Sequence, residues 1–344
     1  MRICVLYPGP MFSVRDVARG YHRALALEGH DVLPLNYPSR VAWYRTAMES
    51  HGHNTSDEGR VEEQVLRRAS ESCVVDALRY DAELVLVVSA MYMHPDAFTL
   101  FSRAGIRTAT IFTESPYQDE QQLYLAGLTD VAFVNDPISI NAFRAENRST
   151  FHLPPAYDPE IHRPIVTSAE QCDVLFVGTG FRNRLRMLEA VDWSGIDLKL
   201  YGQFDWEDEE DNNQLKKFVV GGPVANEQVP WLYASTKIVL NFHRASKGGG
   251  ADERIDGAWA TNPRTYEVAA CEAFQIADAR PELGAVFGDT IVTVEGADDL
   301  ASEINYYLAH DAVREALARE ARAKVEGCTF RDRARDAIEM IASA

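Results

Sequence analysis

Short, continuous apolar segments alternate with amphipathic stretches throughout the first half of the chain. Apolar runs of this kind are typical of parallel strands buried on both faces, and the stretches between them have helical spacing. The predicted strands are Ile3–Tyr7, Asp31–Tyr37, Leu84–Ser89, Arg107–Thr113 and Val131–Val134. The predicted helices are Val14–Glu28 with Ser13 as N-cap, a long helix that follows the polar stretch His51–Arg60 and ends near Arg79, Pro95–Ala104, Asp119–Ala126 and Pro137–Glu146. This alternation predicts an α/β fold with a doubly wound sheet.

A proline-rich segment interrupts the alternation at the middle of the chain. Because prolines do not fit inside regular elements, we interpret Leu153–Glu170 as an interdomain linker. The pattern then restarts at Cys172–Gly178. Further strands are predicted at Leu198–Tyr201, Lys237–Phe242, Phe274–Ala277 and Thr290–Val294, and helices at Val229–Ala234, from Pro263, from Asp298 as cap to Ala309, at Asp311–Glu326 and at Thr329–Ala344. We therefore expect one domain at 1–160, a second at 170–328 and a C-terminal helix at 329–344.

Composition narrows the class of protein. A length of 344 residues suits two domains, and the formal net charge of −18 repels polyanions, which argues against non-specific binding of nucleic acid. The five scattered cysteines form no CxxC pair, so we expect reduced thiols in a cytoplasmic protein and no metal site. The N-terminal apolar run is too short for a signal peptide, and no run approaches the roughly 18 apolar residues of a membrane span. The acidic run Asp205–Asp211 is interpreted as a solvated loop rather than a metal site.

Three segments of the second half carry candidate binding residues. The first, VGTGFRNR, follows a strand and opens a helix, so that Gly178 and Gly180 can let a phosphate approach backbone N–H groups while Arg182 and Arg184 add positive charge. This is not a full GxGxxG pattern, and an ordinary turn with exposed arginines is the alternative.

The second segment begins a helix, with Asn262 as N-cap and Pro263 in the first helical position. Arg264 can neutralise a phosphate there, and Glu267, one turn later on the same face, can accept hydrogen bonds from a ribose. A surface ion pair between Arg264 and Glu267 is the alternative interpretation.

The third segment places Asn241, His243 and Arg244 at the end of a strand, where ligands bind in open α/β sheets. The loop that follows, Ala245–Thr261, contains Lys247–Gly250 and is interpreted as flexible; closure over a ligand and a plain surface insertion are both open. All three segments meet at one edge of the predicted sheet, and this convergence predicts a bound nucleotide.

In the first half, His94 and Glu114 each follow a predicted strand. Either side chain can act as general base toward an acceptor hydroxyl. The alternatives are a helix-start residue for His94, beside Pro95, and a carboxylate bonded to backbone amides for Glu114.

The second half also resembles a known family, the CgeB-like (spore-maturation type) glycosyltransferases. The segments that carry the resemblance are CDVLFVGTGFRNR, VPWLYASTKIVLNFHR, NPRTYEVAACEAFQIAD and the tail from FGDTIVTVEGADDLASEINYYLAHDAVREALA, together with the linker LPPAYDPEIHRP. The resemblance implies a GT-B fold, in which two Rossmann-like domains face a cleft and the last helix crosses back to the first domain. It also implies that Glu267 binds the donor ribose, that Arg264, Arg182 and Arg184 attend the diphosphate, and that catalysis needs no metal. The implied donor is a nucleotide sugar, with a UDP-sugar favoured, and no cofactor is tightly bound.

Two positions depart from the family pattern. Many relatives have Gly in place of Glu272, and Trp259 occupies the position eight residues before Glu267 where many retaining enzymes have a second glutamate. Retention and inversion therefore both stay open. The predicted function is transfer of a sugar from a nucleoside diphosphate to an acceptor hydroxyl on a small molecule, glycan, protein or modified DNA base. The rival functions are a sugar-phosphate epimerase or Rossmann oxidoreductase and a non-catalytic nucleotide-sugar sensor or structural protein.

Overall fold

The computed structural model describes residues 1–9, 14–50, 58–168, 172–204, 214–248, 251–255 and 257–344. The chain divides into two compact units, one formed by Met1–Pro154 with Phe330–Ala344 and the other by Pro155–Thr329. Three sequence features lie outside the described residues: the proposed cap Ser13, the acidic run Asp205–Asp211, and Gly249 with Gly250.

The first unit is built on a six-stranded parallel sheet of order β2-β1-β3-β4-β5-β6. Its elements are β1 (Arg2–Leu6), α1 (Arg15–Leu27), β2 (Asp31–Leu35), α2 (Tyr37–Ser50), α3 (Glu58–Arg79), β3 (Leu84–Val88), α4 (Asp96–Arg103), β4 (Arg107–Phe112), α5 (Asp119–Ala126), β5 (Val131–Val134), α6 (Ile140–Glu146) and β6 (Thr150–His152). Every residue of the central strand β3 is buried, as expected of a strand covered on both faces.

The second unit repeats the architecture with a six-stranded parallel sheet of order β14-β13-β10-β7-β8-β9. Its elements are β7 (Cys172–Val177), α7 (Arg182–Glu189), β8 (Leu198–Tyr201), β9 (Val219–Gly221), α8 (Val229–Ala234), β10 (Thr236–Asn241), β11 (Ser246–Gly248), β12 (Ala251–Arg254), α9 (Pro263–Ala270), β13 (Gln275–Asp278), β14 (Val292–Val294), α10 (Ala297–Leu308) and α11 (Asp311–Lys324). Short 3₁₀ turns at Pro137–Ser139 and Gln214–Phe218 and a π-helical turn at Leu283–Phe287 complete the two units.

The last helix, α12 (Phe330–Ser343), packs against α1 in the first unit. Gly20 makes room for it, because a Cβ there would lie 2.3 Å from the Phe330 ring, which also meets Tyr21 edge-on at 5.3 Å. Glu28, just after α1, accepts hydrogen bonds from Arg331 and Arg335 of α12. One carboxylate and one close apolar contact thus fasten the C-terminus to the first helix.

The predicted fold class is confirmed: two parallel sheets, each with flanking helices, follow the alternation seen in the sequence. Three local predictions were wrong. Tyr37 was predicted as the last residue of a strand, but it begins helix α2, which was not predicted. Helix α10 has Gly296 as its N-cap, and Asp298 lies in the first turn. Within the predicted loop Ala245–Thr261, strands β11 and β12 form an antiparallel hairpin.

Within the described ranges, no helix combines the length and the apolar character that a membrane crossing requires.

Candidate functional site

The carboxyl ends of three neighbouring strands form one edge of the second sheet. β10 pairs with β7 on one side and with β13 on the other, with Leu240 opposite Phe176 and Asn241 opposite Ala277. Gly178, His243 and Asp278 therefore follow or end adjacent strands on the same edge. Helices α7 and α9 begin at this edge, which is where α/β sheets bind ligands.

A buried polar network fixes the start of α9 on this edge. Asn262 caps the helix by accepting from the Thr265 N–H at 3.1 Å, as predicted, and donates to Asn241 Oδ1 at 2.9 Å. Asn241 Nδ2 in turn donates to Thr265 Oγ1 at 2.9 Å and to Gln275 Oε1 at 3.1 Å. Because both ends of the buried Asn241 amide are engaged, this residue positions α9 in the structure, whereas the sequence had suggested a ligand contact.

The buried carboxylate of Glu282 joins the segment before α9 to the segment after β13. Glu282 accepts hydrogen bonds from the backbone N–H and the hydroxyl of Thr261 and from the Tyr266 hydroxyl. Its own N–H donates to the Trp259 carbonyl at 3.2 Å. These hydrogen bonds hold the backbone that leads into Arg264 at Trp259 and Thr261, and helix α9 itself at Tyr266.

The structure brings Gly178, Arg184 and Arg264 together. A Cβ built on Gly178 would lie 3.2 Å from Arg264 Nη1 and 3.5 Å from Arg184 Nη1. Because glycine has no side chain, both guanidinium groups can lie close to the backbone at this position. Arg184 is buried and donates to the Thr179 carbonyl at 2.9 Å. The Nε of Arg264 is buried without a hydrogen-bond partner among the described residues. Burial raises the pKa of the adjacent Tyr233 phenol, an effect that Arg264 partly opposes.

The other members of the glycine-arginine segment play different parts. Phe181 lies beneath two cations, with the Arg184 guanidinium 5.0 Å and the Arg244 guanidinium 5.5 Å from its ring centroid. Gly180 pairs through its backbone with the segment after β8, and a Cβ there would collide with Phe204 at 2.4 Å. Arg182 is exposed at the first position of α7. Of the two predicted arginines, Arg184 therefore faces the site edge and Arg182 the surface.

His243 forms a buried pair with Asp278, a residue that the sequence analysis overlooked. Its backbone N–H donates to Asp278 Oδ1 at 2.6 Å, and its ring Nδ1 lies 2.8 Å from the same oxygen. Although burial raises the pKa of Asp278, the His243 ring outweighs it and holds that pKa below its usual value. Asp278 ends an apolar strand just as Asn241 does, so the same strand-end pattern could have identified it.

Glu267 lies on α9 one turn after Arg264, with its side chain 16% exposed. The Nε2 atom of His162 lies 3.9 Å from Glu267 Oε1. His162 belongs to the segment that was interpreted from the sequence only as a linker. Glu267 also helps to raise the pKa of the Cys271 thiol to about 12, after burial as the larger cause. The Cys271 thiol beside this carboxylate is therefore neutral.

The two predicted catalytic residues lie in the first unit. His94 is largely buried at the start of α4, where its Nδ1 accepts from the Asp96 N–H at 3.2 Å, and its own N–H donates to Ser70 Oγ at 2.9 Å. Since Nδ1 is an acceptor, the neutral ring carries its proton on Nε2. Glu114 lies in the turn after β4, where its carbonyl accepts from the N–H groups of Tyr117 and Gln118.

In the part of the chain that the structure describes, no group of three or more His, Cys, Asp and Glu side chains could hold a metal ion. The second-unit edge offers two guanidinium groups beside a glycine, a largely buried carboxylate one helical turn away, and an imidazole oriented by a carboxylate. This set suits an anionic, hydroxyl-bearing ligand.

A family model described as "Glycosyl transferase-like" matches residues 182–339. The spore protein CgeB of Bacillus subtilis (strain 168) is 24% identical over 267 residues, which cover 74% of this chain and 81% of that protein.

Solved structures share the fold along its whole length. The sucrose-phosphate synthase of Thermosynechococcus elongatus matches with a TM-score of 0.67 at 14% identity, covering 99% of this chain and 98% of the other. Anabaena HepE, solved in complex with UDP-glucose, matches with a TM-score of 0.65 at 13% identity, covering 100% of each chain. Together with the two six-stranded parallel sheets, these matches show that the chain has the GT-B fold of these structures, and that it is similar to a glycosyl transferase-like family over its second half and to the spore protein CgeB.

Proposed function

We propose that this chain transfers a hexose or related sugar from a UDP-sugar to an acceptor hydroxyl, and that the donor binds at the carboxyl edge of the second sheet. The observation that carries the proposal is the approach of Arg184 and Arg264 to Gly178. Two guanidinium groups at a glycine, beside the starts of α7 and α9, form an anion-binding arrangement suited to a diphosphate. The UDP-glucose in the HepE structure supports the choice of donor.

Each residue has a distinct role in this proposal. Arg264 binds the diphosphate through its guanidinium group, whose Nη1 lies beside Gly178. Arg184, buried against Phe181, contributes fixed positive charge. Glu267 accepts hydrogen bonds from the ribose hydroxyls. Because these groups are held before the ligand arrives, they can stabilise the charge that develops on the departing diphosphate.

The acceptor side of the reaction is assigned to the first unit. His94 holds its proton on Nε2, so it is suited to donate a hydrogen bond to an acceptor or phosphate oxygen. Glu114 is the better candidate for general base, since a carboxylate can take the proton of the acceptor hydroxyl. The arginines replace a divalent cation as the counter-charge, so the proposed transfer is independent of metal and continues in EDTA.

We place the reaction in the cytoplasm. The five cysteines are free, four of them buried, and burial raises the pKa of the Cys4 and Cys73 thiols to about 12. Thiols of this kind are typical of a reducing compartment.

Calorimetry with UDP, GDP, ADP and TDP tests the donor site directly. We expect UDP to bind most tightly, and Arg264→Ala or Glu267→Ala to weaken it about 10- to 100-fold, the value of a charge-assisted hydrogen bond. The matched control is Arg186→Ala, which removes an exposed arginine of α7. Equal affinities in the wild type and both site variants would overturn the site. Donor hydrolysis by the purified protein separates an enzyme from a non-catalytic sensor.

A further inference from the structure

His162 is a buried residue close to Glu267, the carboxylate proposed to bind the ribose. It lies in the segment that follows Pro155, within the second unit, and its side chain is 0% exposed. A tight turn holds it there: the carbonyl of Asp158 accepts from the N–H groups of Ile161 and His162, and Asp158 Oδ1 accepts from the Glu160 N–H. The imidazole is therefore fixed before any ligand binds.

The contacts of the ring determine which nitrogen carries the proton. The backbone N–H of Asp158 donates to His162 Nδ1 at 3.2 Å, so Nδ1 is an acceptor. The proton of the neutral ring must then lie on Nε2. That nitrogen is 3.2 Å from Asn226 Oδ1 and 3.9 Å from Glu267 Oε1, so a single N–H faces two acceptors.

We propose that His162 is a positioning residue for donor binding: its Nε2–H holds one side of the Glu267 carboxylate and so fixes the orientation in which Glu267 meets the ribose. This inference rests on the proposed function of Glu267. The neighbouring Cys271 cannot supply the same attraction, because its pKa is raised to about 12 and the neutral thiol is only a weak hydrogen-bond donor. The preference for a ribose-bearing ligand therefore depends in part on a residue that does not touch it.

Two substitutions separate this role from the anchoring of the turn. In His162→Asn, the short amide can keep the acceptor for the Asp158 N–H but does not reach Glu267. In His162→Gln, the longer amide places an N–H near the position of Nε2. With UDP as probe in calorimetry, His162→Asn should bind about five- to tenfold more weakly, which is the value of one hydrogen bond, and His162→Gln should bind within about twofold of wild type.

Inorganic pyrophosphate is the control ligand because it lacks a ribose. Its affinity should be the same in wild type and His162→Asn, and the effect of His162→Asn on UDP should vanish in a Glu267→Ala background. Equal loss of UDP and pyrophosphate binding, or no loss of UDP binding, would refute the positioning role. Should His162→Asn fail to fold, Asn226→Ala frees the Nε2–H for Glu267 alone and is expected to bind UDP at least as well as wild type; weaker binding refutes the role. A wild-type protein that binds no nucleoside diphosphate instead refutes the proposed function, and the inference with it.

Discussion

The Nδ1 atom of His243 lies 2.8 Å from Oδ1 of Asp278, an oxygen that also accepts the His243 backbone N–H at 2.6 Å. Because the pKa of Asp278 is held below its usual value, this carboxylate is ionised and accepts a hydrogen bond from the Nδ1–H of the His243 ring. The opposite nitrogen, Nε2, is buried and has no hydrogen-bond partner among the described residues. The pair therefore fixes the orientation of an imidazole ring at the edge where the donor is proposed to bind.

Removal of the Asp278 carboxylate should destabilise the protein. Asp278→Ala leaves two buried donors of His243 unmatched, at about 1–3 kcal/mol each, so we expect the free energy of unfolding to fall by about 2–6 kcal/mol. Urea denaturation followed by circular dichroism measures this. Asp289→Ala, which removes an exposed carboxylate of the same unit, is the control and should change stability by less than about 0.5 kcal/mol. Similar losses in the two variants would contradict the pairing.

The hydrogen bonds between Glu28 and helix α12 should make the stability of the folded protein depend on pH in acid. Hydrogen bonds from Arg335 and Arg331 lower the pKa of Glu28 from 4.5 to about 2. Because the folded-state pKa lies below that of the unfolded chain, ionised Glu28 stabilises the folded protein above about pH 4.5, and this contribution disappears as the pH falls toward 2.

Glu28→Gln should therefore be less stable than wild type at pH 7, and the difference should shrink between pH 4.5 and 2. Urea midpoints measured at several pH values in this range, with Glu49→Gln of the exposed face of α2 as control, follow the effect. A difference that stays constant or grows as the pH falls would show that Glu28 does not stabilise the fold through its charge.

The sequence was most informative where physical constraints are local and repeated. The continuous apolar runs at Leu84–Val88 and Cys172–Val177 marked buried parallel strands, because such strands are covered on both faces. Asn262 and Pro263 marked the start of α9 to the residue, since a cap and a first-turn proline are short-range signals. Helix α2 was missed because its burial comes from packing against α3, and only Tyr37 and Val41 are fully buried.

The site itself was only partly predictable, because its members act through contacts distant in sequence. His162 lies 105 positions before Glu267, and nothing in its own segment indicates the carboxylate that it meets. Asn241 was correctly predicted at a strand end, but its side-chain amide is hydrogen-bonded to Thr265, Gln275 and Asn262. Which strand-end side chains remain available to a ligand is decided by such pairings, and a single sequence does not contain them.

Two glycines at the end of β7 and β8 should tolerate alanine very differently. A Cβ on Gly202, which has φ +145, would lie 1.9 Å from the backbone oxygen of Gly178. A Cβ on Gly178 would instead meet the ends of two flexible side chains, Arg264 at 3.2 Å and Arg184 at 3.5 Å. Because backbone cannot yield as side chains do, Gly202→Ala should cost about 3 kcal/mol or more of unfolding free energy. Gly178→Ala should cost less, about 1–3 kcal/mol, which is the strain of alanine at the φ of +158 that Gly178 adopts.

Gly178→Ala should nevertheless weaken UDP binding, since the new methyl group occupies the space between the backbone and both guanidinium groups. Urea denaturation and calorimetry on the same two variants separate the effects. A Gly178→Ala protein that binds UDP as tightly as wild type would show that the diphosphate lies elsewhere.

The amide network under α9 should behave as one cooperative unit. Asn241→Ala removes the partner of Gln275 Oε1 and Thr265 Oγ1, both buried, and Gln275→Ala removes a donor to the Thr265 carbonyl as well as the acceptor for Asn241. Each single change leaves the other amide unsatisfied, so the double variant should be more stable than the sum of the single losses implies, by about 0.5–3 kcal/mol. Urea denaturation of the four proteins gives this coupling. Asn305→Ala, on the exposed side of α10, combined with Gln275→Ala provides the matched cycle and should be additive. Additivity in the Asn241 cycle as well would mean that the two amides stabilise α9 independently.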